Sequence, residues 1–282
     1  MDWSILQFLL PAIAATLIIA GIHAYLGLHV VERGVIFVDL SLAQIASLGA
    51  TLALVVPWFG GDPHSPAVYW MSLAFTLLGA AIFSLIKGHE ARIPQEAIIG
   101  ITYAVASAAV IVAMSKSTGE SDHLKDMLVG NILSVQPDEI IKTGAMYVVI
   151  GVFHYVYRKT FLLISTDPQG AAARGLAVRF WDFLFYASFG VVVTRSVAIA
   201  GVLLVFCYLI VPSVGAMLFA ESIGARLAIG WVMGVVVSML GMYFSVEFDL
   251  PTGATIVCTF GAVLIAMATA RVLVPRRRPQ PV

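Results

Sequence analysis

The chain has 282 residues, of which 60 % are hydrophobic and only 11 % are charged. A soluble globular domain is about 45–50 % apolar and about 25 % charged, so this chain has too little polar surface for a fold surrounded by water. Lipid must solvate most of it, which excludes a soluble enzyme, a nucleic-acid-binding protein and a disordered protein. The 16 basic and 16 acidic residues balance, so net charge indicates no partner.

Apolar runs of about 20 residues, the length that crosses the hydrocarbon core of a bilayer, recur along the chain. They predict one all-α, polytopic membrane domain over residues 1–282 with nine transmembrane helices, or eight if the sixth and seventh runs merge. The runs are Ile5–Leu28, Val35–Trp58, Ala67–Ile86, Glu96–Met114, Ile140–Tyr157, Phe180–Thr194, Ser196–Ala220, Leu227–Phe244 and Thr252–Val274. Asp126–Val135 is too short to span and is typical of a re-entrant or interfacial segment.

Basic residues are divided unevenly between the two sets of loops. With nine spans, twelve of the 16 Lys and Arg residues follow odd-numbered spans, among them Arg33 and the C-terminal Arg276–Arg278. Because basic residues accumulate on the cytoplasmic side, we expect the N-terminus outside and the C-terminus inside. Asp182 and Arg195 lie near the two ends of the short sixth run, where long side chains can reach the interface.

Polar side chains inside the second run share one helix face. At about 100° per residue, Ser41, Gln44, Ser47 and Thr51 form one stripe, and Asp39 points about 160° away from Ser41. An ionised group in mid-bilayer costs at least about 2.5–3.5 kcal/mol, so such residues tend to face protein or water. We expect this stripe to line a translocation pathway at the seam between two chains, with Asp39 near its mouth. The alternative is that these small and polar residues only allow close helix packing. This alternative explains Gln44 least well, because a buried amide needs several hydrogen-bond partners.

The fourth run has a similar stripe that begins at Glu96 and continues through Gly100, Tyr103 and Ser107. Glu96 is therefore a second candidate for the pathway. The histidines do not form the pairs three or four residues apart that are typical of metal sites. The sequence also lacks a GxxxxGK[ST] motif, so energy from ATP would have to come through a partner.

Several short motifs occur in a characteristic order along the chain. They are Glu96–Ile101, Leu128–Leu133, Asp167-Pro168 with Ala171 and Gly175, Ala200–Val205, Ile210–Pro212 and Asp249–Ala254. In this order and spacing the chain, from about residue 5 to about 274, resembles the membrane permeases of ABC-type importers for manganese, zinc or iron in bacteria.

The resemblance implies a permease of the bacterial inner membrane that dimerises with a second permease chain. It also implies a cytoplasmic ATP-binding subunit, an extracytoplasmic metal-binding protein and a divalent metal as cargo, with no cofactor bound by this chain. Asp167, Pro168, Ala171 and Gly175, within residues 165–177, resemble the segment that couples the permease to its ATPase. Independently, Ser165 or Asp167 can cap a short helix begun by Pro168, and Gly175 can end it.

The second run departs from the family in one respect. Many members carry an Asp followed four residues later by a His, which resembles a pair of metal ligands. Counted from Gly49, Leu40 and Gln44 take those places, and Asp39 is one position away. An amide oxygen is a poor zinc ligand, so the metal stays unidentified, and a harder ion, a chelate or ligands elsewhere are alternatives. A secondary transporter or channel that works alone, with Glu96 or Asp39 as an ion relay, is the alternative function.

Overall fold

The computed structural model describes residues 3–56, 58, 65–86, 94–115 and 132–273. Within these ranges the chain forms eleven α-helices and no strand. The helices are α1 (Trp3–Arg33), α2 (Val38–Val55), α3 (Pro66–Ile86), α4 (Gln95–Met114), α5 (Pro137–Val156), α6 (Arg158–Thr166), α7 (Pro168–Ala173), α8 (Val178–Ala200), α9 (Val202–Phe219), α10 (Ile223–Glu247) and α11 (Thr252–Leu273).

Nine helices in the described ranges are long and apolar enough to cross a membrane, namely α1–α5 and α8–α11. The predictions of an all-α membrane bundle and of nine spans are therefore confirmed. The two short helices α6 and α7 lie between the fifth and sixth spans. Of the predicted interfacial segment, Ile132–Ser134 forms a 3₁₀ turn with Ile132 buried, and residues 126–131 lie outside the described ranges.

The predicted boundary between the sixth and seventh runs is wrong. Helix α8 continues to Ala200, and the break falls at Gly201, whose φ of 77° and ψ of 160° suit glycine almost exclusively. Arg195 seemed to end the run because of its charge. In the structure its Nε donates to Thr143 Oγ1 of α5 at 3.0 Å, so the helix continues past it.

The spans form two groups that share α9. Helix α2 packs on α3, α4 and α8, whereas α1 packs on α9 and α10, and α11 closes the second group. α9 also contacts α2 and α8 and so joins the groups. In the second group, a Cβ added at Gly27 of α1 would lie only 1.9 Å from the carbonyl oxygen of Leu209 in α9. Backbones that approach this closely are typical of helix pairs in membranes.

Candidate translocation pathway and coupling segment

Helix α2 carries the predicted polar stripe, and it is the most enclosed of the nine spans in the described ranges. Ser41, Gln44 and Thr51 are buried inside one chain, and Ser47 is half-buried. The hydroxyls of Ser41 and Thr51 have no hydrogen-bond partner among the residues that the structure describes. A buried hydroxyl that protein leaves unsatisfied costs free energy, and a hydrated ion could satisfy it. The stripe thus lies within one helix bundle rather than on its outer surface.

The carboxyl groups of Asp39 and Glu96 both lie at the N-terminal end of α2. Asp39 is in the first turn of α2 and is only 2 % exposed. Glu96 is in the first turn of α4, and its Oε1 accepts a hydrogen bond from the backbone N–H of Phe37 at 3.0 Å. Asp39 Oδ1 and Glu96 Oε2 are buried without a partner in the described part of the chain. The structure therefore brings two predicted residues from separate helices to one end of α2.

The rest of the fourth-span stripe is more open. Tyr103 is exposed, while the hydroxyl of Ser107 is buried and lacks a partner within the described ranges. The stripe of α4 therefore runs from Glu96, which bonds to the residue before α2, to Tyr103 on the outer surface of the bundle.

The histidines of the spans are hydrogen-bonded, His23 within α1 and His154 of α5 to α8. His23 Nδ1 lies 2.8 Å from the carbonyl oxygen of Ile19, and His154 Nε2 lies 2.8 Å from Ser188 Oγ. Among the described residues, no three His, Cys, Asp or Glu side chains are grouped as a metal site requires. The side chains of the α2 stripe, Asp39 and Glu96 offer oxygen atoms, which suit hard divalent ions better than zinc.

The predicted coupling segment has the local structure that its sequence indicates. Asp167 caps α7, because its Oδ1 accepts a hydrogen bond from the N–H of Gly170 at 2.8 Å, and Pro168 is the first helical residue. Gly175 ends the segment with a φ of 79°. Ala171 is fully buried, whereas the other side of α7 is exposed. Of the two candidate caps, Asp167 is the one used, and the segment presents a short, fixed helix at the surface.

Ser165 has a different role that the sequence did not reveal. Its hydroxyl accepts a hydrogen bond from Arg33 Nε at 2.9 Å and lies 2.9 Å from His29 Nδ1. Arg33 also forms a salt bridge with Asp182 at the start of α8, and both side chains are fully buried. The expectation that Asp182 reaches the interface is therefore wrong, because Arg33 neutralises it inside the bundle. The only sign of this salt bridge in the sequence was that a basic residue, Arg33, and an acidic residue, Asp182, both lie near helix ends.

One family model matches almost the whole chain and establishes the family to which it belongs. The model of the ABC 3 transport family aligns with residues 5–270. The chain belongs to the ABC 3 transport family. It is a multi-pass membrane permease, a transport component rather than a catalyst.

The names of two relatives agree with this membership. The chain is 27 % identical over 264 residues to the manganese import system permease protein ScaB of Streptococcus gordonii, which covers 92 % of this chain and 90 % of the relative. It is 25 % identical over 276 residues to a Haemophilus influenzae protein named "Probable iron transport system membrane protein", which covers 96 % of this chain and 98 % of the relative.

A solved structure shows the same fold. The complex of PsaBC from Streptococcus pneumoniae with a Fab contains a chain that superposes with a TM-score of 0.76 at 24 % identity. The alignment covers 92 % of this chain and 90 % of that one. The resemblance inferred from the six motifs is confirmed by the family match, and the fold of the chain is shared with that structure.

Proposed function

We propose that this chain is the permease of an ATP-driven importer for a divalent metal ion or its chelate, with manganese or iron(II) as the cargo. The observation that carries the proposal is the family match over residues 5–270. The names of the relatives, which refer to manganese and iron, support the choice of metals.

The chemistry of α2 supports the same metals. Where many relatives would place an imidazole, this chain offers the amide of Gln44. The other oxygen atoms along α2 and at its start belong to Ser41, Thr51, Asp39 and Glu96. Carboxylate, carbonyl and water oxygens suit manganese, whereas zinc prefers thiolate or imidazole. Because the stripe is buried in one chain, α2 would have to separate from a neighbouring helix for an ion to pass along it.

The importer would contain three further components. A cytoplasmic ATP-binding subunit docks on residues 165–177 through the exposed side of α7, and an extracytoplasmic metal-binding protein delivers the cargo. A second permease chain, identical or different, completes the membrane part. The N-terminus is outside and the C-terminus is inside the bacterial inner membrane, so that α6 and α7 face the cytoplasm.

Transport in proteoliposomes tests this function. The tagged chain would be purified together with any ATPase and metal-binding protein that accompany it. Uptake of radiolabelled manganese by this complex would be measured with and without hydrolysable ATP. Uptake that requires ATP and is inhibited by iron(II) more than by zinc supports the proposal. Uptake by the chain alone, driven by an imposed proton gradient, would overturn it and favour a secondary transporter that uses Asp39 or Glu96.

A further inference from the structure

Three helices meet at a buried polar cluster on the side of the protein that carries α7. Arg33 is the last residue of α1, Ser165 is near the end of α6, and Asp182 is near the start of α8. The Arg33 guanidinium contacts both of the others and lies 4.0 Å from the centre of the Phe185 ring. Each of its contacts involves a different helix from its own, so this one side chain fixes the relative positions of α1, α6 and α8.

Stability alone does not account for this cluster. Two fully buried charges pay a desolvation penalty that their attraction only about repays, and well-packed apolar side chains often do as well. What Arg33 adds is direction, because a planar guanidinium holds two acceptors at fixed angles. The main effect of the cluster is therefore to fix the relative position of α6 and the end of α1, and its contribution to stability is smaller.

On one side, Arg33 is connected rigidly to the carboxyl pair. The N–H of Gly34 donates to Val31 O at 3.1 Å, and the N–H of Val35 donates to Val30 O at 3.2 Å. This pair of bonds is the Schellman pattern, which ends α1 directly after Arg33. Phe37, two residues beyond Val35, donates its N–H to Glu96, and Asp39 follows in the first turn of α2. A shift of Arg33 therefore moves the turn that positions Glu96 and Asp39.

On the other side, Arg33 is connected to the exposed helix α7. Ser165 lies two residues before Asp167, and the N–H of Asp167 donates to Leu163 O at 2.8 Å. Asp167 in turn caps α7. A protein that pushes on α7 therefore displaces Ser165, whose hydroxyl is hydrogen-bonded to Arg33.

We propose that Arg33 is a positioning residue that passes the movement of α7 to the turn between α1 and α2, and so to the carboxyl pair Asp39 and Glu96. The inference rests on the proposed function, because it assumes that an ATPase acts on α7. It assigns to the Arg33–Ser165–Asp182 cluster the mechanical connection between that ATPase and the end of the α2 stripe.

The neighbouring residue provides a matched control. Glu32, in the same last turn of α1, forms a salt bridge with Arg226 of α10. Their side chains are 30 % and 17 % exposed, and Glu32 bonds to α10 rather than to α6. Removing this pair also loosens the end of α1, but it leaves the route from α7 to Arg33 intact.

The test compares two double variants in the reconstituted complex. Arg33→Gln with Asp182→Asn removes both buried charges together and leaves no lone charge in the interior, and Glu32→Gln with Arg226→Gln is the control. The quantity measured is metal transported per ATP hydrolysed. We expect the first variant to bind the ATPase and hydrolyse ATP but to lose roughly fivefold or more in this ratio, as ordinary coupling between linked sites predicts. The control should keep the wild-type ratio.

A second readout follows the turn itself. Phe37 is exposed, so Phe37→Cys, in a chain whose Cys207 and Cys258 are replaced, reports the position of the turn through its rate of reaction with a water-soluble thiol reagent. ATP binding should change that rate in the otherwise wild-type complex and in the control, but not in the Arg33→Gln, Asp182→Asn variant. Ser165→Ala keeps the salt bridge and serves as a second variant in case the double variant does not fold. It should weaken the change in reaction rate that ATP binding causes.

The outcomes separate the inference from the proposed function. An unchanged ratio in the Arg33 variant, or an equal loss in the control, would overturn the connection through Arg33. Absence of ATP-dependent uptake in the wild-type complex would overturn the proposed function instead.

Discussion

Replacing Gly175 with valine tests whether the end of α7 must be fixed for coupling. The residue has a φ of 79°, and its N–H donates to Ala172 O at 2.9 Å, while that of Leu176 donates to Ala171 O at 3.2 Å. A residue other than glycine pays roughly 1–2 kcal/mol in this left-handed region, and a β-branched one is a genuine outlier there. Among the described residues no neighbouring atom lies within 4 Å of an added Cβ, so the penalty comes from the backbone.

The penalty should appear as faster local opening. A loss of about 1–2 kcal/mol changes an opening equilibrium roughly 5–30-fold. We therefore expect the amides of residues 175 and 176 to exchange hydrogen that much faster in Gly175→Val, measured by hydrogen–deuterium exchange in detergent. Membrane insertion should be intact, and in the reconstituted complex ATP hydrolysis should be uncoupled from metal uptake.

Gly224→Val is the matched control. Gly224 lies in the first turn of α10, has ordinary helical φ, and also has no atom within 4 Å of an added Cβ. Exchange at residues 175 and 176 should be unchanged in this variant. If Gly175→Val exchanges at the wild-type rate, the argument from backbone strain is wrong. If exchange accelerates while transport and binding of the ATPase persist, α7 is not the coupling element.

Three further predictions concern the spans. Reporter fusions at residue 282 and near residue 63 should report opposite sides of the membrane, and an external C-terminus would contradict the proposed orientation. In a chain with Cys207 and Cys258 replaced, cysteines introduced at 41, 44 and 47 should react with a water-soluble thiol reagent to an extent that changes during transport. Cysteines introduced at 42 and 45 should not. Equal protection at all five positions, with transport intact in Gln44→Leu, would mean that the stripe serves only in helix packing. Gly27→Ala should lower the free energy of unfolding in detergent by about 1–3 kcal/mol, because its Cβ would overlap the backbone of α9. Gly21→Ala should not, because no atom of the described residues lies within 4 Å of its added Cβ. Equal unfolding free energies of the two variants would refute the close approach.

The features that sequence analysis predicted are those with local causes. The spans follow from runs of apolar residues, because lipid demands an apolar surface over a fixed length. The helix α7 follows from Asp167, Pro168 and Gly175, whose effects on the backbone reach only a few residues.

The features that it missed depend on partners far away in the chain. Asp182 lies 149 positions from Arg33, and only the packing of α1 on α6 and α6 on α8 brings the two together. Arg195 is satisfied by α5 in the same way, which is why the sixth span extends beyond it to Gly201. The enclosure of the α2 stripe within one chain was also hidden, since a helical periodicity places residues on one face without indicating what that face contacts.

The way in which α7 is held has a consequence for partner choice. Its conformation is set by the Asp167 cap, the buried Ala171 and the left-handed Gly175, none of which depends on the outward side chains. Gln169, Ala172 and Arg174 all point away from the bundle and are exposed. These positions are therefore free to diverge without cost to the fold. In the proposed importer, different residues at these three positions would let each permease bind its own ATPase subunit and reject those of related importers in the same cell.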